Sequence, residues 1–188
     1  MRRKSKVIIA CKVFYDEMQQ CLPPDADTEI VWIDAALHAD LDRLEQELKS
    51  ALSAARASES EVRIFLGAGC HPDMLKLARE YGAGVSPVKN CIEAFLGPKQ
   101  QELEKDGTMI MTPGWIRAWP GIMAALGWDA VDVRINLGRY NRILLLEPGI
   151  NPLTEEEILA FFDLTQTPID LELLELQHFR QVLAELLQ

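Results

Sequence analysis

Three cysteines and a histidine carry most of the chemistry this sequence can do: Cys11, His38, Cys70 and Cys91. Each follows a short apolar run. Cys11 closes "KVIIAC", His38 comes after "EIVWI", Cys70 after "VRIFLGAG" and Cys91 after "GVSPVKN". Thiolate and imidazole donors in this ratio suit zinc or an iron–sulfur cluster. None of the cysteines has CxxC spacing, so the fold alone must bring the donors together. The stretch around Cys70, "IFLGAGCHPD", also holds the first two glycines of a GxGxxG phosphate loop. Proline stands where the third glycine belongs, and no lysine follows to meet a phosphate, which disfavours a nucleotide site. We read Gly67 and Gly69 instead as letting the backbone turn tightly, so that Cys70 points into a cleft.

The elements that position these residues are legible as alternating strands and helices. Strands are predicted at 6–11, 29–33, 61–66, 84–88, 108–111 and 142–146, with a loop at "PPDAD", residues 23–27. Between them, helices follow from apolar spacing of three and four residues. One carries Phe14, Met18 and Leu22, and the next Leu41, Leu44, Leu48, Ala51 and Leu52. A third starts at Pro72 with Leu75, Ala78 and Tyr81 inward and stops at Gly82. Asn90 with Glu93, and Thr154 with Glu157, are capping pairs that open two more. A helix follows "TPGW" through Met123 and Leu126, and the last carries Phe179, Val182, Leu183 and Leu186.

Such alternation implies right-handed βαβ units: one α/β domain over residues 1–188, a mainly parallel sheet with helices on both faces, Rossmann-like and three-layered. Ligands of such sheets sit beyond the carboxyl ends of the strands. Cys11, His38, Cys70 and Cys91 all arrive there, as do Thr112, Gly114 and Trp115 of "GTMIMTPGW", a candidate cofactor-binding wall. Trp115 and Trp119, one helical turn apart, are read either as lining an apolar pocket beside the metal or as core aromatics. Cys21 falls on an inner helix face with Met18 and Leu22, and reads as core. His71, beside Cys70, reads as a solvent-facing or helix-capping residue.

The chain has 188 residues, 48% of them hydrophobic, and a formal charge of −10. A negative field of that size argues against nucleic acid as a partner. No apolar run approaches the roughly 18 residues of a membrane span. "MRRKSKVIIAC" begins like a lipoprotein leader, but its apolar part, "VIIA", falls short of the roughly 7–15 residues required. It reads as the first strand of a cytoplasmic protein, where cysteines are thiols or ligands rather than disulfides.

The pieces "IIAC", "ALHADLDRLEQEL", "LGAGCH", "KNCIEAFLG" and "GTMIMTPGWI" together resemble a family catalogued among domains of unknown function as number 1638. The tail around "PIDLELLELQHF" matches more loosely. The resemblance implies that Cys11, His38, Cys70 and Cys91 are the recurring functional positions. The sequence departs from it at Leu66-Gly67, where members often have Tyr-Gly, and at Met109-Ile110, where they often have a tyrosine pair. Members are often encoded near corrinoid-dependent methyltransferase systems, so the resemblance implies a small-molecule or corrinoid-protein partner and corrinoid as a further cofactor. Three roles stay open on the sequence: a metal-dependent methyl-transfer component, a non-catalytic cofactor- or metal-binding accessory protein, and a cysteine enzyme with Cys91 as nucleophile and His38 as base.

Overall fold

The structure is a computed structural model that describes residues 6–23 and 27–188. The middle of the expected loop at 23–27 and residues 1–5 of the leader-like start lie outside the described residues. In chain order the elements are β1 (Lys6–Cys11), α1 (Tyr15–Cys21), β2 (Thr28–Ile33), α2 (Leu41–Ala57), β3 (Glu61–Phe65), α3 (Met74–Tyr81), β4 (Gly84–Val85) and α4 (Cys91–Leu96). They continue with α5 (Gln100–Glu104), β5 (Thr108–Met111), α6 (Pro113–Leu126), α7 (Ala130–Leu137), β6 (Arg142–Glu147), α8 (Glu155–Thr165), β7 (Ile169–Leu173) and α9 (Gln177–Leu186). No helix among the described residues is long and apolar enough to cross a membrane.

The strands form two parallel sheets, ordered β2-β1-β3-β4 and β5-β6-β7, flanked by helices. The α/β architecture is as expected; its division into two sheets was not. β1 is central, pairing with β2 through Cys11 opposite Ile33 and with β3 through Ala10 opposite Phe65. Val7, Ile8, Ile9 and Ala10 are all buried. Successive strand residues point to opposite faces, so both faces of β1 are covered. That is why its sequence is an unbroken apolar run rather than an alternation.

Several details differ from expectation. β4 covers two residues, not 84–88: the Ser86 N–H still donates to the Ile64 carbonyl of β3 at 2.9 Å, and Pro87, with no N–H to donate, ends the pairing. The third helix begins at Met74 rather than Pro72, so Met74, Leu77 and Ala78 face inward while Leu75 is exposed. Leu41 is likewise exposed, as the first residue of α2. Gly82 ends α3 in the left-handed conformation, as read. Both expected caps form: the Asn90 side chain accepts the Glu93 N–H at 2.8 Å, and Thr154 with Glu157 makes a reciprocal capping box.

The core has a knot of four phenylalanines, Phe14, Phe65, Phe95 and Phe179, with ring centroids 4.9–5.6 Å apart. Three of them lie three to five residues from a cysteine of the candidate set: Phe14 after Cys11, Phe65 before Cys70, Phe95 after Cys91. Phe179, on α9, touches the other three. The knot therefore anchors all three cysteine-bearing turns to one another.

Candidate functional site

Cys11 is the last residue of β1 and is 2% exposed. Cys70 ends a short 3-10 turn, Ala68–Cys70, and Cys91 is the first residue of α4. The glycines fix how these turns meet. Ala68 N–H donates to the Val88 carbonyl and Gly69 N–H to the Lys89 carbonyl, both at 2.8 Å. A Cβ on Gly67 would overlap the Lys89 carbonyl and the Asn90 Cα. Gly67 has an ordinary φ of −63°, so glycine is required for close approach rather than for an unusual backbone. That backbone seam lays the Cys70 turn against the start of α4.

The three thiols share one electrostatic environment. Burial raises the pKa of Cys11 far above the usual thiol range, opposed by a bond from the Val13 N–H and reinforced by Cys91, Cys70 and Asp34. Cys91 is pushed up to about 12, by burial first; the Trp115 N–H bond acts against this and the Cys70 charge with it. Cys70 is also raised by burial, with a bond to the Gly67 backbone opposing. All four cysteines are free. The structure thus gathers Cys11, Cys70 and Cys91 within reach of one another's charge, while Cys21 stands apart, half-buried on α1 beside the fully buried Met18.

Trp115 and His38 form the wall. The indole N–H of Trp115 donates to the Cys91 sulfur at 3.0 Å. His38, on the 3-10 turn Ala35–Ala39, lies with its ring centroid 6.1 Å from that of Trp115. Its Nδ1 is 3.0 Å from the Ala35 carbonyl. A carbonyl only accepts, so Nδ1 carries the proton and Nε2 keeps the lone pair. Burial lowers the His38 pKa, against that carbonyl bond, which favours the neutral ring. His38 thus reaches the cluster by way of the Trp115 indole.

The rest of "TPGW" has structural duties. Thr112 is fully buried as the residue before α6, and its hydroxyl has no partner among the described residues. A Cβ on Gly114 would overlap the Val13 carbonyl, so this glycine seats α6 against the turn that follows Cys11. Trp119 parts from Trp115: it is 6% exposed and meets Phe161 of α8 edge-on, with centroids 6.0 Å apart. Of the two readings of the pair, Trp115 takes the site and Trp119 the core. His71 is buried, and its Nδ1 accepts the Asp73 N–H at 3.1 Å, a local turn-capping role.

Sequence reasoning missed Asp34, which adds a negative charge near Cys11 and accepts the Ala36 N–H at 2.9 Å. Its place directly after a strand and before a helical turn was an available signal. Among the described residues, no three His, Cys, Asp or Glu side chains are placed to hold one metal ion together. The thiols form a proximate cluster, not a preformed coordination shell.

The sequence matches the family described as "Protein of unknown function (DUF1638)" over residues 32–183. The chain belongs to this family. The matched span contains His38, Cys70, Cys91, Thr112, Gly114 and Trp115, whereas Cys11 precedes it. No curated protein and no solved structure matches the chain.

Proposed function

We propose that this protein binds zinc or an iron–sulfur cluster through Cys11, Cys70 and Cys91, with His38 as the fourth donor. It would serve corrinoid-linked methyl or one-carbon metabolism as an accessory cofactor-binding protein or a methyl-transfer component. One observation carries the metal reading: Cys11, buried at the end of β1, and the half-buried Cys70 and Cys91 lie close enough that Cys11 ionises against the charges of both others and of Asp34, and Cys91 against that of Cys70. A soft cation is what such a set of donors would stabilise. His38 supports it, because a metal-binding imidazole commonly gives its other N–H to a backbone carbonyl. When bound, the metal would keep thiols deprotonated or polarise a ligand.

The chain's own residues set the conditions. At neutral pH the thiols hold their protons, so loading is coupled to proton release and to rotation of the side chains toward one point. Trp115 fixes the Cys91 sulfur from one side, and the Gly67 seam keeps Cys70 beside it. The nucleophile reading has less support. The Cys91 sulfur bonds Trp115, no His38 bond to it is described, and its raised pKa is opposite to that of an activated thiol. Four free cysteines suit a reducing, cytoplasmic compartment, and a charge of −10 favours a small molecule or a corrinoid protein over nucleic acid.

An anaerobic absorbance spectrum with elemental analysis tests this. Broad absorption at about 400 nm indicates a cluster, and a colourless protein with bound zinc indicates the zinc form. Protein free of both that takes up neither on reconstitution contradicts the proposal. Added cobalamin should also perturb the protein's tryptophan fluorescence, and an unchanged emission would remove corrinoid from the proposal.

A further inference from the structure

The two edges of the first sheet are built differently. β4 is two residues long and runs toward Pro87, so it offers little backbone for another chain to pair with. β2, at the opposite edge, is the six-residue run "TEIVWI", with no proline, glycine or lysine to blunt it. Its inner side pairs with β1 along its whole length. Among the described residues no strand pairs with its outer side, and Ile30, Val31 and Trp32 stay half-buried. The edges of the second sheet are better protected. β5 is mostly buried, and β7 carries Asp170 and Glu172.

Two cavities of about 400 and 390 Å³ adjoin along β2, sharing Trp32, Ile33 and Glu47. The first lies between β2 and α2. Glu29, Val31 and Ile33 pair with Val7, Ile9 and Cys11 and share one face of the sheet. Opposite them α2 presents the small side chains Ser50, Ala51, Ala54 and Ser58, which leave room for side chains from outside. The second cavity reaches Ala36 and Leu37, on the turn that carries His38.

The charge along this groove is one-sided. Glu29, Asp34, Asp40 and Glu47 line it, with Arg43 as the single cation among the described lining residues. Glu29 and Glu47 are both exposed, and neither joins an ion pair among the described residues. Asp34 and Asp40 each cap a turn through one oxygen, accepting the Ala36 and Arg43 N–H groups at 2.9 and 3.1 Å.

We propose that β2 is a docking edge for an extended segment of a partner protein that alternates basic and apolar side chains. The segment adds to the sheet as a fifth strand, its main chain bonding the outer N–H and C=O groups of β2. Its side chains then fall alternately on the two faces. Those on the α2 side enter the first cavity, where arginine or lysine meets Glu29 and Glu47. Those on the other side lie beside Ile30 and Trp32. A second copy of this chain, with its charge of −10, is opposed by the same carboxylates. The bound segment reaches toward the His38 turn and uses none of the proposed metal donors.

The test uses the whole chain and a blocked heptapeptide that alternates arginine and valine. Amide NMR should place the shifts on β2 and the turn after it, and hydrogen exchange in β2 should slow about tenfold or more at saturating peptide. N-methylating alternate amides of the peptide should abolish binding in one of the two phases only, because only one set faces β2. Glu29→Lys with Glu47→Lys should weaken the arginine peptide about tenfold and favour a glutamate–valine peptide instead. Four results would each overturn the proposal: no binding at millimolar peptide, protection at β7 rather than β2, equal loss in both methylated phases, or unchanged affinity in the double variant. Protection of β2 that rises with protein concentration alone would put a second copy there and overturn the foreign partner. The peptide series on the unaltered chain decides the matter without any variant, and no readout depends on bound metal.

Discussion

At the scale of single residues, Cys91 separates the two chemistries open to this site. A catalytic cysteine needs a depressed pKa and a base at its sulfur; Cys91 has an indole N–H there and a pKa pushed up to about 12. In the folded, metal-free protein at pH 7.5, iodoacetamide should therefore label Cys91 on the order of a thousand-fold more slowly than free cysteine, since the thiolate fraction is that much smaller. Mass-spectrometric timing of the labelled peptide measures this. Fast labelling of Cys91, slowed by His38→Ala, would favour the nucleophile instead. Raising the pH should speed labelling and also weaken the fold, because a thiol with a raised folded-state pKa contributes stability below the usual thiol range and loses it above.

At the scale of elements, the site depends on how turns are seated, and here the sequence was only partly legible. An unbroken apolar run named β1, and three- and four-residue spacing named α2, because burial imposes those periods directly. The start of α3 slipped by two residues, enough to turn Leu75 outward. β7 escaped notice because "IDLEL" is an edge strand with acidic residues and little burial, and its pattern does not separate from the helix after it. α7 escaped because Val131 and Ile135 are exposed, which blurs its apolar face. The cysteines were found because strand order delivers them to one edge, but the phenylalanine knot and the Gly67 seam are long-range contacts that no local pattern encodes. The knot gives an element-scale expectation. Phe179→Ala should cost about 3–5 kcal/mol in denaturant unfolding, and should also reduce metal content, although Phe179 is not in the donor set. Full metal occupancy in a destabilised Phe179→Ala protein would show that the knot does not position the cysteine turns.

At the scale of the whole molecule, the strands form two parallel sheets, and α6, which follows β5 of the second, is seated by Gly114 on the turn after Cys11 of the first and carries Trp115 to Cys91. Trp115, which follows β5 of the second sheet, thereby meets thiols that come from the end of β1 and from the segments after β3 and β4 in the first. The overall charge of −10 opposes the approach of a phosphate backbone. Duplex DNA should show no salt-sensitive binding in the micromolar range, and a titration at low and moderate salt checks this.

The central claim is that Cys11, Cys70 and Cys91 are metal donors while Cys21 is a packing residue. Bound metal per chain, measured side by side after anaerobic expression for the unaltered protein, Cys70→Ala and Cys21→Ala, tests it most directly. The expected result is about one zinc or one cluster per chain in the unaltered protein, the same in Cys21→Ala, and a sharp fall in Cys70→Ala. An unaltered protein that stays empty on reconstitution, or a Cys21→Ala protein that is empty while Cys70→Ala stays full, would contradict it.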